Sequence, residues 1–274
     1  MSTSSTATEY EVMFDVHETP ECPDSGIPAG SAAFTESRAA YALTGLTVVL
    51  QCFNEADNVD DAFRAATRAA RRCASSYEVI VIDDGSSDDT ARITGELAVH
   101  DPNVRLVVHP ENLGYGAALR SGIEAARMPW VLLTDADLQF DLGELENFLP
   151  AARNADLVAG WRILRQDPAH RRANAAAWNW LVRRVVGVPV RDVDCAFKLI
   201  RRDMLDNIEL VSGGAMLSTE LVMRLHAAGA RIEEIGVHHR PRVAGEQTGA
   251  NPRVIARAFR ELATLHHTLK TTAA

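Results

Sequence analysis

Cysteine is scarce in this 274-residue chain, with Cys22, Cys52, Cys73 and Cys195 as the whole complement. Their separations fit neither a metal site nor a redox pair, which suits reduced thiols in a cytosol. Long apolar runs are missing too. No window reaches the roughly 20 residues of a membrane helix, and the start of the chain has neither the basic flank nor the apolar core of a secretory signal. No internal repeat is present. Positive charge is in deficit: 28 Lys and Arg against 37 Asp and Glu leave a net charge of −9. That balance offers no footing for a nucleic-acid partner.

What is present is ordinary for a globular protein, with 47% hydrophobic and 24% charged residues. The length fits one large domain or a domain with tails. The acidic excess is uneven. Residues 1–45 hold seven acidic residues and one basic, Arg38. They are rich in Ser, Thr, Ala, Pro and Gly without apolar period, and read as a disordered acidic leader. From Leu46 to about Gly249 the chain alternates between strand and helix. Strands are expected at LTVVLQCF (46–53), YEVIVID (77–83), VRLVVH (104–109) and Trp130 to Leu133, with helices over about 89–99, 115–127 and 142–152. Between the first two strands Val59, Ala62, Phe63, Ala66, Ala69 and Cys73 recur at helical spacing. This pitch predicts an α/β fold, a mostly parallel sheet with helices on both faces. Ligands of such sheets gather beyond the carboxyl ends of the strands.

WVLLTDADLQF, residues 130–140, places a carboxylate pair where an apolar strand runs out. Asp135 and Asp137 lie two residues apart, a spacing that in extended backbone points both side chains to one face. Two like charges so close repel unless a cation sits with them. Hard oxygens suit Mg²⁺ or Mn²⁺, which commonly complete their shells with substrate phosphates. A plain strand end, with Asp141 capping the next helix, explains less.

Three other segments fall at strand ends. In QCFNEADNV (51–59) Glu55 is placed to accept hydrogen bonds from ribose hydroxyls or a base, or else simply begins the helix with Asp57. In DDGSSDDT (83–90) Gly85 permits a tight turn and Ser86 or Ser87 suits a helix cap, but neither accounts for two adjacent acids, Asp83 and Asp84. NLGYGAALRSG (112–122) is a Gly-containing helix entry that allows close backbone approach to phosphate or sugar.

The ordered set of FNE (53–55), DDGSSDDT (83–90), NLGYGAA (112–118), DADLQ (135–139), GWR (160–162) and RDVDCAFKLIRR (191–202) resembles family 2 glycosyltransferases of the GT-A (Rossmann-like) fold. Within them it is most similar to the dolichol- or polyprenol-phosphate mannose synthase branch. The resemblance implies that Glu55 and Asp83 or Asp84 hold the nucleoside. It implies further that Asp135, Asp137 and Gln139 hold a metal ion and the sugar diphosphate. Gln51, Phe53, Ala136 and Arg242 complete the implied nucleotide-sugar site. The chain departs from the pattern at Gln51-Cys52-Phe53, where Pro-Thr-Tyr is usual, at Phe140 in place of His, and at Thr248-Gly249 in place of Ser-Lys.

The second half carries the acceptor signals. Ten basic residues lie between Arg162 and Arg202, opposed only by Asp167, Asp192 and Asp194. In an acidic chain this reads as a site for an anionic group or a lipid surface. The resemblance implies that arginines here receive a lipid phosphate, with Arg162 and Arg172 the positional matches. Trp178, Trp180, Leu181, Val182, Val185 and Val186 are what an interfacial helix needs, or equally a helix packed on the sheet. His238-His239 and His266-His267 are adjacent pairs that do not share a face; the first is expected on a strand, RIEEIGVHH, next to the active site. Glu220 reads as a favourable charge at a helix start, and Cys195 as a small core residue. A last amphipathic helix is expected within 250–274.

These features together predict a metal-dependent inverting glycosyltransferase, with Asp137, Arg162 and Arg172 as catalytic residues. It would move a hexose, mannose or glucose, from a GDP- or UDP-sugar to a polyprenyl phosphate, in the cytoplasm or peripherally on the cytoplasmic membrane face. A family 2 enzyme with a soluble acceptor and a non-catalytic nucleotide-sugar-binding protein are the alternatives.

Overall fold

The computed structural model describes residues 42–163, 169–214 and 216–242. Positions 1–41 of the expected leader and the whole expected helix of 250–274 lie outside the described residues. So do the departures at Thr248-Gly249.

Seven strands form one sheet: β1 Leu46–Cys52, β2 Tyr77–Asp83, β3 Val104–Val108, β4 Trp130–Asp135, β5 Leu157–Ile163, β6 Lys198–Arg201 and β7 Ile232–His238. Their order is β3-β2-β1-β4-β6-β5-β7. The helices are α1 Val59–Cys73, α2 Thr90–His100, α3 Tyr115–Ala125, α4 Leu149–Ala152, α5 Ala169–Val186, α6 Arg202–Leu205 and α7 Met216–Ala227. Leu142–Phe148, expected as the start of a longer helix, is instead a 3₁₀ segment that runs into the four-residue α4. Its cap is as expected: the Asp141 side chain accepts from the Gly143 N–H at 2.9 Å.

Alternate residues of β1 serve two cores. Val48 and Leu50 pack with Ala62, Phe63 and Ala66 of α1. Val49 packs on the other face with Leu119 and Ile123 of α3 and Leu221 of α7. Burial on both faces is why the central strands read as unbroken apolar runs. Each fully buried Leu, Ile or Val contributes about 1.5–3 kcal/mol. At the leader boundary, Leu43 is buried and bridges Ala74, donating its N–H to Cys73 O at 2.8 Å, so these residues pack on the domain.

β6 breaks the regular alternation. It runs antiparallel to both β4 and β5, whereas β1, β2, β3 and β4 are mutually parallel and β5 is parallel to β7. Its first residue, Lys198, pairs with Leu133 near the end of β4. The segment leading into β6 is therefore delivered at the edge where β4 and β5 end. A strand of four residues is too short to announce that direction in sequence.

At the opposite edge Asp156 ties β5 to the start of β7. Its carboxylate accepts from Arg231 N, Nε and NH2 at 3.0, 2.9 and 2.9 Å. The hydrogen bonds from Arg231 hold the Asp156 carboxyl down to about 2. A folded pKa below the unfolded value means stability that is present above about 4 and lost as pH falls towards 2. Because Arg231 is largely exposed, solvent screening keeps the pair's contribution small. Asp156→Asn should thus lower Tm slightly at neutral pH and flatten the loss of stability between pH 4 and 2. Equal acid dependence in both proteins, measured by thermal melts, would contradict this.

Candidate active site

The register brings the motifs level. Gln51 pairs with Asp135 across β1 and β4, and Cys52 pairs with Asp83 across β1 and β2. The chain continues this pairing past the strands: Ala136 N–H donates to Gln51 O at 3.1 Å and Asp84 N–H to Cys52 O at 3.0 Å. One carboxyl edge thus carries Gln51, Phe53, Glu55, Asp83, Asp84, Asp135 and Asp137.

Asp137 is buried, and its Oδ1 accepts the Gln139 N–H at 3.1 Å. Leu138 between them takes a left-handed φ of 58°, which makes this tight return. Burial raises the Asp137 carboxyl above the usual range. Burial and then the neighbouring Asp137 push Asp135 up to about 7, while Lys198 and Arg162 act in the opposite sense. The Gln139 side chain turns elsewhere, donating to Arg240 O at 3.2 Å, and Arg240 N–H returns a bond to Gln139 O at 2.8 Å. These bonds and the Phe140–His239 bridge lay the end of β7 beside the acid pair, as the sequence reading expected. Phe140 itself packs on Phe197, with ring centroids 5.9 Å apart, so its apolar character answers to the core.

Glu55 is buried and engaged at both oxygens. Oε2 accepts from Asn58 Nδ2 at 2.7 Å, and Oε1 is paired with Arg242. Ion pairing with Arg242 joins two residues expected in one nucleotide-sugar site. Phe53 is 39% exposed at the end of β1, a large apolar face held outward.

The two acids of DDGS divide their work. Asp84 is fully used by protein: Oδ1 accepts from His109 Nδ1 at 2.7 Å and Leu113 N–H at 3.0 Å, and Oδ2 from Gly114 N–H at 2.9 Å. Asp83 accepts the Ser86 N–H at 3.0 Å through Oδ1, while its buried Oδ2 has no partner. Burial raises the Asp83 carboxyl. Of the two, Asp83 is the acid with capacity to spare. The expected serine caps are not used as such. Ser86 Oγ accepts the Asn54 N–H, and Asp88 receives the first amide of α2, from Thr90, at 3.0 Å. Gly85, at φ 69°, lies so close to Glu111 that an added Cβ would approach its carbonyl carbon to 2.3 Å.

The basic stretch is mostly consumed by the fold. Arg162 makes a two-pronged pair with Asp192, Nε to Oδ2 at 2.6 Å and NH2 to Oδ1 at 2.7 Å. Arg191 faces Glu234, Arg201 faces Asp156 and Asp203, and Arg202 faces Asp206. Lys198 is buried and donates to the carbonyls of Val193, at 3.1 Å, and Cys195. Arg165 and the side chains of Arg171 and Arg172 lie outside the described residues. On α5, Val182 is buried in the second core while Trp180 is 62% exposed, so one side packs and another is open.

Sequence reasoning missed three supports. Lys198, a lysine inside an apolar strand, was counted only as surface charge. Glu220 is not an exposed helix-start charge: it is fully buried, accepts from Val211 N–H at 3.1 Å and Ser212 N–H at 2.7 Å, and pairs with Arg224 Nε at 2.7 Å. The loop it holds presses on α3, where a Cβ on Gly116 would meet Gly213 C at 2.7 Å. Tyr115 is bonded to Ser218 beside it, and burial followed by Asp135 raises its phenol. A buried charge in an apolar helix is the one signal that pointed to Glu220.

Among the described residues no three His, Cys, Asp or Glu side chains gather as a self-sufficient metal cage. Two carboxylates, with the unpartnered buried Gln51 Oε1 on the same stretch of edge, are instead a hard-oxygen set that needs outside ligands. That fits an ion completed by a diphosphate. It does not fit a structural metal.

Residues 47–209 match the model for "Glycosyl transferase family 2". The chain belongs to this family. Among relatives, it is 33% identical over 226 residues to the undecaprenyl-phosphate 4-deoxy-4-formamido-L-arabinose transferase of Pseudomonas fluorescens (strain SBW25), covering 80% of this chain and 64% of that one. It is 30% identical to glycosyltransferase AglD of Haloferax volcanii over 76% of this chain and 35% of that one. The chain therefore spans under two thirds of either relative. In structure it is similar to glucosyl-3-phosphoglycerate synthase from Mycobacterium tuberculosis in complex with phosphoglyceric acid, with TM-score 0.64, 17% identity, and 88% and 86% of the two chains covered. The same synthase with Mn²⁺, UDP and phosphoglyceric acid gives TM-score 0.62 and 18% identity, over 86% and 84%. These likenesses establish the GT-A fold for this family member.

The Arg162–Asp192 pair yields a stability test. Asp192→Ala leaves a half-buried guanidinium without its two-pronged partner, which should cost up to about 3 kcal/mol. The urea midpoint should fall accordingly, and Asp192→Glu should lose less. A midpoint unchanged by Asp192→Ala would show that the pair contributes nothing.

Proposed function

We propose that this chain is a metal-dependent inverting glycosyltransferase that moves a hexose from a nucleotide sugar to a polyprenyl phosphate. The observation that carries the reading is the pair of half-buried Asp135 and buried Asp137, set level with Gln51 Oε1 and Asp83 Oδ2, two buried oxygens that face no protein donor. Support for the acceptor comes from the 33% identical transferase, whose name specifies undecaprenyl phosphate. Support for a divalent ion comes from the structurally similar synthase seen with Mn²⁺ and UDP.

In this reading Phe53 offers its ring to the base, and Asp83 accepts from the nucleoside. Asp135 and Asp137, with Gln139 if it leaves Arg240, would hold Mg²⁺ or Mn²⁺. A bound ion would offset charge developing on the leaving diphosphate. Lys198 and Arg162 act against the mutual repulsion of the acids. The acceptor phosphate, largely ionised near pH 7 because its second pKa is about 6, attacks the anomeric carbon from the face opposite the diphosphate. No strong protein base is required, and an α-linked donor becomes a β-linked product. Arg172 supplies the planar fork that receives the acceptor phosphate.

A second reading, a soluble acceptor, is favoured by one observation: Asp192 already fills the fork of Arg162, one of the two arginines expected to read lipid phosphate. Labelled GDP- and UDP-hexoses offered with short polyprenyl phosphates and with soluble phosphate and hydroxyl acceptors separate the two. Asp137→Asn should abolish transfer and keep the fold, and EDTA should do the same until Mn²⁺ or Mg²⁺ is returned. Full activity after chelation ends the metal proposal. Arg172→Ala should reduce use of polyprenyl phosphate roughly ten- to a hundredfold with donor affinity nearly unchanged. Transfer only to a soluble compound replaces the lipid reading with the second.

A further inference from the structure

Behind the donor edge lies a buried polar chain that the reaction above does not use. His109, one residue past β3, is buried and shows its two ring nitrogens to two different partners: Nδ1 to Asp84 Oδ1 at 2.7 Å and Nε2 to Ser121 Oγ on α3 at 2.9 Å. Its own N–H donates to Asp83 O at 2.9 Å, which continues the β2–β3 pairing. Asp84 in turn collects the N–H groups of Leu113 and Gly114, the last residues before α3. The N–H groups of Leu113 and Gly114 and the Nδ1 of His109 converge on one carboxylate. The network resembles a nucleophilic triad in outline. Ser121 is buried within α3, so it has no route to a substrate.

We infer that His109 is a positioning residue of the donor site. It fixes Asp84, Asp84 fixes the 112–114 loop at the entry of α3, and the loop sets the distance between the DDGS turn and the residues that receive the nucleotide sugar. The packing leaves little slack. Gly85 is in backbone contact with Glu111, and Gly114 accepts its place at φ 94° with an added Cβ only 3.3 Å from Gly213 O. Asp83, with its unpartnered Oδ2, is the neighbour of Asp84, so a shift of Asp84 moves the acid assigned to the nucleoside. This inference rests on the proposed donor site.

Two isosteric substitutions separate the nitrogens. Asn reaches where Nδ1 lies and keeps a donor for Asp84, while Gln reaches where Nε2 lies and keeps only the Ser121 side. His109→Gln should weaken nucleoside-diphosphate binding, read by calorimetry with UDP and GDP in Mn²⁺, roughly ten- to a hundredfold. It should raise donor KM more than it lowers kcat, and speed amide exchange at Leu113 and Gly114. His109→Asn should bind the nucleotide within about threefold of wild type, although both variants lose stability. Equal affinity in the Gln variant and wild type, with only Tm changed, overturns the assignment and makes His109 a core residue. If the Gln variant does not fold, His109→Ser, too short to reach Asp84, takes its place beside the Asn variant: a tenfold loss in Ser alone supports the role, and equal affinity in both refutes it. A wild type that binds neither nucleotide overturns the donor-site reading, and this assignment with it.

Discussion

Repulsion between carboxylates crowded at one sheet edge is the constraint on which the rest of this structure turns. Asp83, Asp84, Asp135 and Asp137 lie at the ends of two strands that flank β1, and Glu55 follows β1 itself. Few of these charges are left to water. Asp84 is held by convergent N–H donors and Glu55 by Asn58 and Arg242, while Lys198 and Arg162 only partly offset the crowding at Asp135. Asp83, Asp135 and Asp137 keep raised carboxyls. Satisfied acids build the walls, and under-satisfied acids mark the space a cation and diphosphate would fill.

The cations that balance this edge come from the other half of the sheet. Lys198 and Arg162 stand on β6 and β5, beyond β4 from the nucleotide side. Asp192, Lys198 and the carbonyls of Val193 and Cys195 knit one loop to both strands. Reversal of β6 is what makes this possible, since a parallel strand would begin at the far edge. The two halves of the sheet are therefore joined by a continuous ladder and by one hydrogen-bonded loop.

Much of the architecture was legible because its signals are local. Apolar runs marked the strands of the parallel half, and the spacing of Val59, Ala62, Phe63 and Ala66 marked α1. The edge residues were legible from position alone, since acids at strand ends need a reason. What escaped depends on partners distant in sequence. Nothing near Asp84 says that its donors sit at 109, 113 and 114 while Asp83 Oδ2 goes without. Nothing near Arg162 says that Asp192 fills its fork 30 residues later. Ten basic residues looked like an anionic surface because charge counts carry no directions, and the fold points at least six of them at its own acids and carbonyls.

The Glu55–Arg242 pair spans 187 positions of sequence and closes on a buried carboxylate. Any ligand group that claims the Oε1 of Glu55 does so in competition with that guanidinium. The exchange is reciprocal by thermodynamic necessity: whatever draws Arg242 away raises affinity at Glu55 by the same factor that occupancy of Glu55 releases Arg242. A contact that looks like a static brace is thus a balance, with the end of the β7 segment on one arm and the donor edge on the other.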